Sequence, residues 1–263
     1  MTYKQRFGGI ARLYGEVPAS YLVDVSICVI GVGGVGSWAA EALVRSGIGK
    51  LTLIDNDTIA LSNINRQIHT LDSSVDQSKV VTLKSRLLEI NPDCKIDAID
   101  DFLTMKTLPD YLSTERQYDY VIDAIDSIKF KSAMINHCLR NKIPIIMTGG
   151  AGGLTDPTMI QIADLTKTYN DPLAAKVRSQ LRSDYGFTRN PKRRFGVECV
   201  FSSQQQLYPK DDGSVSHQKP GIHGVSLDCR FGYGAASYVT ASFGLFAVSR
   251  VINKIMQKQA SKE

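Results

Sequence analysis

Hydrophobic positions along the chain fall into alternating short and long units. Val25–Gly31 (VSICVIG), Lys50–Asp55 (KLTLID), Cys94–Asp100, Tyr118–Ala124 (YDYVIDA) and Ile143–Thr148 are short runs, most of them rich in β-branched residues. Such runs predict strands buried in a sheet. Between them the apolar residues recur at helical spacing. Trp38, Ala42 and Leu43 lie in Gly34–Ser46; Val80, Leu83, Leu87, Leu88 and Ile90 lie in Asp76–Asn91, which Pro92 stops; a third such segment is Lys129–Arg140. Strand alternating with helix predicts an α/β, Rossmann-like fold, with a doubly wound and mostly parallel sheet and right-handed crossovers. After residue 153 the pattern changes. Met159–Leu165 and Val197–Ser203 read as further strands, residues 204–230 as a long polar loop, and Ala235–Ile252 as a closing apolar helix. No repeat or linker divides the C-terminal extension from the rest, so residues 1–263 read as one domain with two halves, 1–153 and 154–263.

Composition narrows the class. With 43% hydrophobic and 22% charged residues in 263, the chain has enough apolar content for a full core. The closing apolar run carries Ser237, Thr240, Ser242, Ser249 and Arg250, and Gly244 lowers its hydropathy further. A spanning helix wants about 20 strongly apolar residues. The run is therefore expected to be a core helix or a dimer interface, with no membrane span. The N-terminus is polar and has no signal-like apolar core. The five cysteines, Cys28, Cys94, Cys138, Cys199 and Cys229, contain no C-x-x-C pair. This argues against a disulfide framework and against zinc, and suits a reducing cytoplasm. The net charge of +5 is local: residues 176–194 carry seven cations against Asp184, or +6, so the rest sums to −1.

The candidate chemistry begins at Gly31-Val32-Gly33-Gly34-Val35-Gly36, between a predicted strand and a predicted helix. Glycines there allow a tight turn and a close backbone approach to phosphate, and the helix N-terminus offers free N–H groups. Asp55 ends the next strand, where its carboxylate can accept from ribose hydroxyls. So far this describes a dinucleotide enzyme. The segment that follows does not: Asp55-Asn56-Asp57 leads to Ser62-Asn63-Ile64-Asn65-Arg66-Gln67, and then Gln77-Ser78-Lys79 opens a helix. An arginine and a lysine beside a phosphate loop suit a triphosphate, whose charge must be neutralised during transfer. Asp123 and Asp126 follow a strand, where a carboxylate can hold the magnesium that accompanies ATP. Taken singly, Arg66 and Lys79 read as surface cations, Asp123 as a helix cap and Asp57 as a turn residue; taken in order, the set points to a site.

The pattern D-x-D-x-I-x-x-S-N-x-x-R-Q, then Q-x-K, then D-x-x-D resembles the ubiquitin-activating-type superfamily, which includes the bacterial adenylating enzymes of molybdopterin and thiamine synthesis. That resemblance implies that Arg66 and Lys79 contact ATP phosphates, that Asp126 binds Mg2+ and that Asp55 takes the ribose. It places Asn63, Gln67, Asp57 and Asp123 in the same site, with the loop glycines Gly31, Gly33, Gly34 and Gly36. It also implies a homodimer, in which an N-terminal arginine reaches the partner's ATP. Here the usual second arginine position is Gly9, which leaves Arg6 or Arg12; Arg12 is preferred.

The second half carries a finer resemblance. Gly149-Gly150-Ala151-Gly152-Gly153-Leu154-Thr155-Asp156-Pro157, Asp164-Leu165-Thr166-Lys167-Thr168, Asp171-Pro172-Leu173-Ala174-Ala175-Lys176, and Asp228-Cys229 resemble the bacterial tRNA threonylcarbamoyladenosine dehydratases, as does the opening Arg6-Phe7-Gly8-Gly9. Those enzymes cyclise the threonylcarbamoyl group on an adenosine beside the anticodon, using ATP. By this reading 1–153 binds nucleotide and 154–263 faces tRNA. Lys176, Arg178, Arg182, Arg189, Lys192, Arg193 and Arg194 would neutralise phosphates of the anticodon stem-loop. Tyr185 and Phe187 could stack on unpaired bases. Cys229 is the one thiol with a candidate sulfur role, which would involve a cysteine desulfurase or sulfur-acceptor partner. The alternative is an adenylator of the C-terminal Gly-Gly of a sulfur-carrier protein. The missing zinc cysteines and the local basic charge argue against it.

Overall fold

A computed structural model describes residues 2–218 and 233–260. Two N-terminal helices, α1 (Tyr3–Tyr14) and α2 (Glu16–Ser20), precede the sheet. Then β1 (Ser26–Ile30), α3 (Gly36–Arg45), β2 (Lys50–Ile54), α4 (Lys79–Ile90) and β3 (Lys95–Ile99) form one winding. The short α5 (Leu108–Tyr111) leads to the other: β4 (Tyr120–Asp123), α6 (Ile128–Arg140), β5 (Ile145–Thr148), β6 (Ile160–Asp164), α7 (Pro172–Asp184) and β7 (Glu198–Ser202). A hairpin of β8 (Tyr208–Pro209) and β9 (Val215–Ser216) and the long α8 (Ser237–Ala260) complete the described elements.

The seven main strands run in the order β3-β2-β1-β4-β5-β7-β6. All pairs are parallel except β6 with β7, which is an antiparallel edge. Sequence order reverses between β1 and β4, so the crevice beyond their carboxyl ends is the switch point where such folds bind ligands. Strand alternation sorts the core. Ile27 and Val29 of β1 face one layer, shared with Leu43, Leu83 and Phe243 of the helices α3, α4 and α8. Cys28 and Ile30 face the other, shared with Met134, Val177 and Leu181 of α6 and α7.

Two departures from the sequence reading have local causes. α4 starts at Lys79, not Asp76, because Asp76 takes a left-handed turn (φ +66) and an antiparallel bridge then pairs Ser78 with Thr58: Ile59 N–H donates to Gln77 O, Asp76 N–H to Ile59 O and Lys79 N–H to Asp57 O. The basic stretch is half helix. Asp171 accepts from Ala174 N–H at 2.9 Å and Pro172 takes the first helical position, which starts α7 firmly. The helices α1 and α2 were not foreseen at all. The first is closed by a capping box, with Thr2 and Gln5 satisfying each other's backbone N–H groups.

α8 is long and apolar enough to cross a bilayer by length and composition, yet 56% of that stretch is buried. Val239, Phe243, Ala247, Val251 and Ile252 face the core, and Gly244 lets the helix press on α3, where a Cβ would sit 2.6 Å from Val35 O. Glu198 at the start of β7 fastens the outer end through Arg250 and Lys254, the latter at 2.9 Å.

Candidate nucleotide-binding site

The loop from β1 to α3 is forced to be glycine at two places. Gly31 has φ +81, and a Cβ on it would meet Ile125 and Ala124 at 2.8 to 3.0 Å. At Gly36 a Cβ would lie 1.8 Å from Gly31 O. The turn therefore folds tightly on itself and presents the α3 N-terminus to the crevice.

Asp55 belongs to this loop's framework. One carboxylate oxygen accepts from Val32 N–H at 2.7 Å, the other from Asp57 N–H at 3.0 Å. Burial pushes its carboxyl up from the usual value, against these hydrogen bonds and the nearby Lys79. Lys79, at the first position of α4, is only 5% exposed, and its Nζ pairs with Asp57 Oδ2 at 2.6 Å. Arg66 arrives on the intervening segment and lays its Cγ and Cδ over Gly34, while Nη1 donates to Ser62 O and Asn65 Oδ1. Gln67 is buried beside Gly33, and its Oε1 has no partner among the described residues. Asn63 is buried too, and its Oδ1 accepts from Ala60 N–H to hold the turn. Thus Gly31, Gly33, Gly34, Gly36, Asp55, Asp57, Asn63, Arg66, Gln67 and Lys79 form one cluster at the switch point.

Asp123 does not join them as expected. It is wholly buried, and its Oδ1 is held by Lys131 Nζ at 2.7 Å inside the protein. Strand alternation at the end of β4 turns its side chain to the layer of α6, where Lys131 lies. Asp126, three residues on, is exposed and has no hydrogen-bonding partner among the described residues. An open carboxylate beside the phosphate loop fits a hard cation.

Arg6 and Arg12 lie elsewhere. Arg6 Nη1 donates to Ile90 O, at the far end of α4 from Lys79. Arg12 is exposed on α1, which is tied by Tyr3 to Gly47 and by Tyr14 to Asn253. Gly47 lies beyond the distal end of α3, and Asn253 is 13 residues beyond Thr240 on α8, or roughly 20 Å along the helix. Neither arginine stands at its own chain's loop.

The basic stretch divides. Lys176, Arg189, Lys192, Arg193 and Arg194 are exposed. Arg178 and Arg182 turn back on the protein. Arg178 bonds Thr168 and Leu165 O, and the Arg182 guanidinium lies 5.5 Å over the Phe195 ring. Phe187 meets Phe195 edge-on at 4.9 Å, and Tyr185 packs on the same core. The expected free aromatics are therefore packing residues. The described thiols, Cys28, Cys94, Cys138 and Cys199, are all buried, and burial pushes each of them up, Cys94 to about 11 and Cys138 to about 12. Cys229 lies outside the described residues.

The sequence reading missed the residues that hold Arg66 in place. Trp38 Nε1 and Thr240 Oγ1 both donate to Arg66 O, and Asn65 Nδ2 donates to Ala235 O. Only the lone tryptophan gave a signal, and it read as a core residue.

A doubly wound sheet, a glycine loop at its switch point and two cations beside that loop define an α/β nucleotide-binding protein equipped for a polyphosphate. The chain belongs to the ThiF family, whose model matches residues 9–263. It is 51% identical over 260 residues to the tRNA threonylcarbamoyladenosine dehydratase of Escherichia coli, an alignment covering 98% of this chain and 96% of that one. It is 52% identical to the Haemophilus influenzae protein of the same name, with the same coverage. A crystal structure of the E. coli enzyme in complex with ATP superposes with a TM-score of 0.88 at 48% identity, over 99% of this chain and 97% of that one.

Proposed function

We propose that this protein uses ATP to dehydrate threonylcarbamoyladenosine in tRNA, next to the anticodon. The observation that carries this reading is the near-full-length identity to the E. coli dehydratase, which extends past the nucleotide loop through the basic half. In the first step the substrate carboxylate attacks the α-phosphorus of ATP, an acyl-phosphate bond forms, and pyrophosphate leaves. Arg66 and Lys79 neutralise charge on the phosphates as it shifts toward the leaving group. Lys79 Nζ would exchange its Asp57 partner for phosphate oxygens, which replace one negative charge by another around a buried ammonium. Asp126 would hold magnesium, which when bound supplies further charge neutralisation to the leaving pyrophosphate. Asp55 fixes the loop through Val32 and Asp57 and orients the ribose side. In the second step the ureido group of the same substrate attacks the activated carbonyl, the ring closes, and AMP leaves. Intramolecular attack favours this step.

The two halves divide the labour: residues 1–153 bind nucleotide, and 154–263 receive tRNA. Lys176, Arg189, Lys192, Arg193 and Arg194 are the cations free to meet phosphates. A homodimer would bring Arg12, or Arg6, across to the partner's ATP, and their distance from their own loop supports that arrangement. A tRNA substrate supports a cytoplasmic location. Any sulfur-relay partner would act through Cys229.

The test is nucleoside mass spectrometry after incubation with magnesium-ATP and tRNA bearing the linear modification. Loss of one water from the nucleoside, with AMP release, is the expected result. An unchanged nucleoside, together with pyrophosphate exchange stimulated by a small Gly-Gly-ended protein, would replace this reading with the sulfur-carrier one.

A further inference from the structure

Lys131 of α6 and Asp123 at the end of β4 are both 0% exposed, and they form an ion pair at 2.7 Å. As a source of stability the pair is poor. Desolvating two charges costs several kcal/mol, and apolar replacements of similar volume are often neutral or better. The pair is also incompletely satisfied, since Asp123 Oδ2 has no partner among the described residues. Burial pushes the Asp123 carboxyl up, and only Lys131 and one backbone N–H oppose it. What the pair holds explains it better than what it contributes to stability.

The side-chain hydrogen bonds of the pair converge on the end of β4 and the turn that follows it. Lys131 Nζ donates to Asp123 O as well as Oδ1, and Thr148 Oγ1 of β5 donates to the same carbonyl at 3.3 Å. Asp123 Oδ1 accepts from Ile125 N–H at 3.3 Å. Ala124 N–H donates to Ile30 O, the last residue of β1. The turn then lies flat on the phosphate loop: Ala124 and Ile125 occupy the space where Gly31 would carry a Cβ, and Ala124 closes on Gly36 as well. Asp126 is the next residue, and its carboxylate is open to solvent.

We infer that Lys131 is a positioning residue, which through Asp123 fixes residues 124–126 against the phosphate loop and so sets where Asp126 meets the nucleotide's magnesium. The inference rests on the adenylation reading above, in which Asp126 is the magnesium ligand. It makes the turn's geometry depend on a charge pair that never touches substrate.

Titration calorimetry of ATP, with and without Mg2+, tests this on the full chain. The variants are the double replacement Asp123→Leu with Lys131→Met, which removes both charges, and Lys131→Met alone, which leaves Asp123 in place. Thermal melting reports whether each is folded. The double variant is expected to melt within a few degrees of wild type and to bind metal-free ATP within about twofold, while its affinity for Mg2+ in the ATP complex falls ~10- to 100-fold, as when a supporting partner of a metal ligand is lost. If the double variant does not fold, Lys131→Met, whose buried Asp123 can take up a proton and stay neutral, gives the same reading. A folded variant with wild-type magnesium enhancement would leave Lys131 a packing residue and overturn the inference. If wild type itself shows no magnesium enhancement of ATP binding, the assignment of Asp126 fails first and this inference fails with it.

Discussion

The phosphate loop and the basic stretch carry charge in opposite ways. At the loop every charged group except Asp126 is committed: Asp55 to two backbone N–H groups, Lys79 to Asp57, Arg66 to Ser62 and Asn65. On the basic stretch five of seven cations are exposed and make no salt bridge among the described residues. The first arrangement fixes charge in the way that would suit a small anion oriented for chemistry. The second leaves long side chains loose over a surface, which suits a large polyanion met through its phosphates. Arg178 and Arg182 show that charge sign alone does not assign a residue to the second kind.

The strongest test of this contrast is at the loop. Arg66→Ala should lower ATP–pyrophosphate exchange on the modified tRNA by about 100- to 1000-fold while leaving the melting temperature nearly unchanged. Comparable exchange in the variant would show that the loop's cations are structural. A smaller but large effect concerns pH. His69 is 2% exposed, neither ring nitrogen has a hydrogen-bond partner among the described residues, and burial, with Lys79 and Arg86 nearby, lowers its pKa from 6.5 to about 4. Because the folded value lies below the unfolded one, the stability is complete above pH 6.5 and is lost as pH falls toward 4. Urea unfolding should show a loss of roughly 2 kcal/mol between pH 7 and pH 5 from this group. His69→Leu should flatten that slope, and an unchanged slope would place the acid sensitivity elsewhere.

Next in size is the basic loop. Replacing Arg189, Lys192, Arg193 and Arg194 together by glutamine should reduce the salt slope of tRNA binding by roughly three to four, with ATP affinity preserved. A fall in ATP affinity would mean the two regions are not separable. The smallest effect separates the two kinds of arginine within the stretch. Arg182→Ala loses its stacking on Phe195 and should cost about 1 kcal/mol of stability, whereas Arg189→Ala should stay within about 0.5 kcal/mol.

The sheet was legible because β1, β2, β4 and β5 are apolar runs buried on both faces, while the edge strand β3 alternates exposed and buried positions, and the runs read in residues 25–148 align with β1 to β5 within two or three residues at each end. The phosphate loop was legible because glycine has few substitutes where a Cβ would strike Gly31 O. Asp123 was misjudged for a reason no spacing shows. One residue of strand register decides whether a carboxylate faces the crevice or the core, and the buried partner, Lys131, reads as an ordinary helix lysine. The fate of Arg178, Arg182 and Phe187 depended on Thr168 and Phe195, contacts made only when the chain folds back.

The tie between Arg66 and α8 bears on how this protein acquires its site. Thr240 donates to Arg66 O across 174 residues, and Asn65 reaches Ala235 O across 170. Loop closures of that span form late, after local helices and neighbouring strands. The arginine segment would then reach its working shape only when the chain is nearly all in place. A fragment of residues 1–153 would contain every motif position yet lack this brace, and should bind ATP weakly. Competence for nucleotide would then mark the end of folding, so half-made chains would not occupy the cell's ATP.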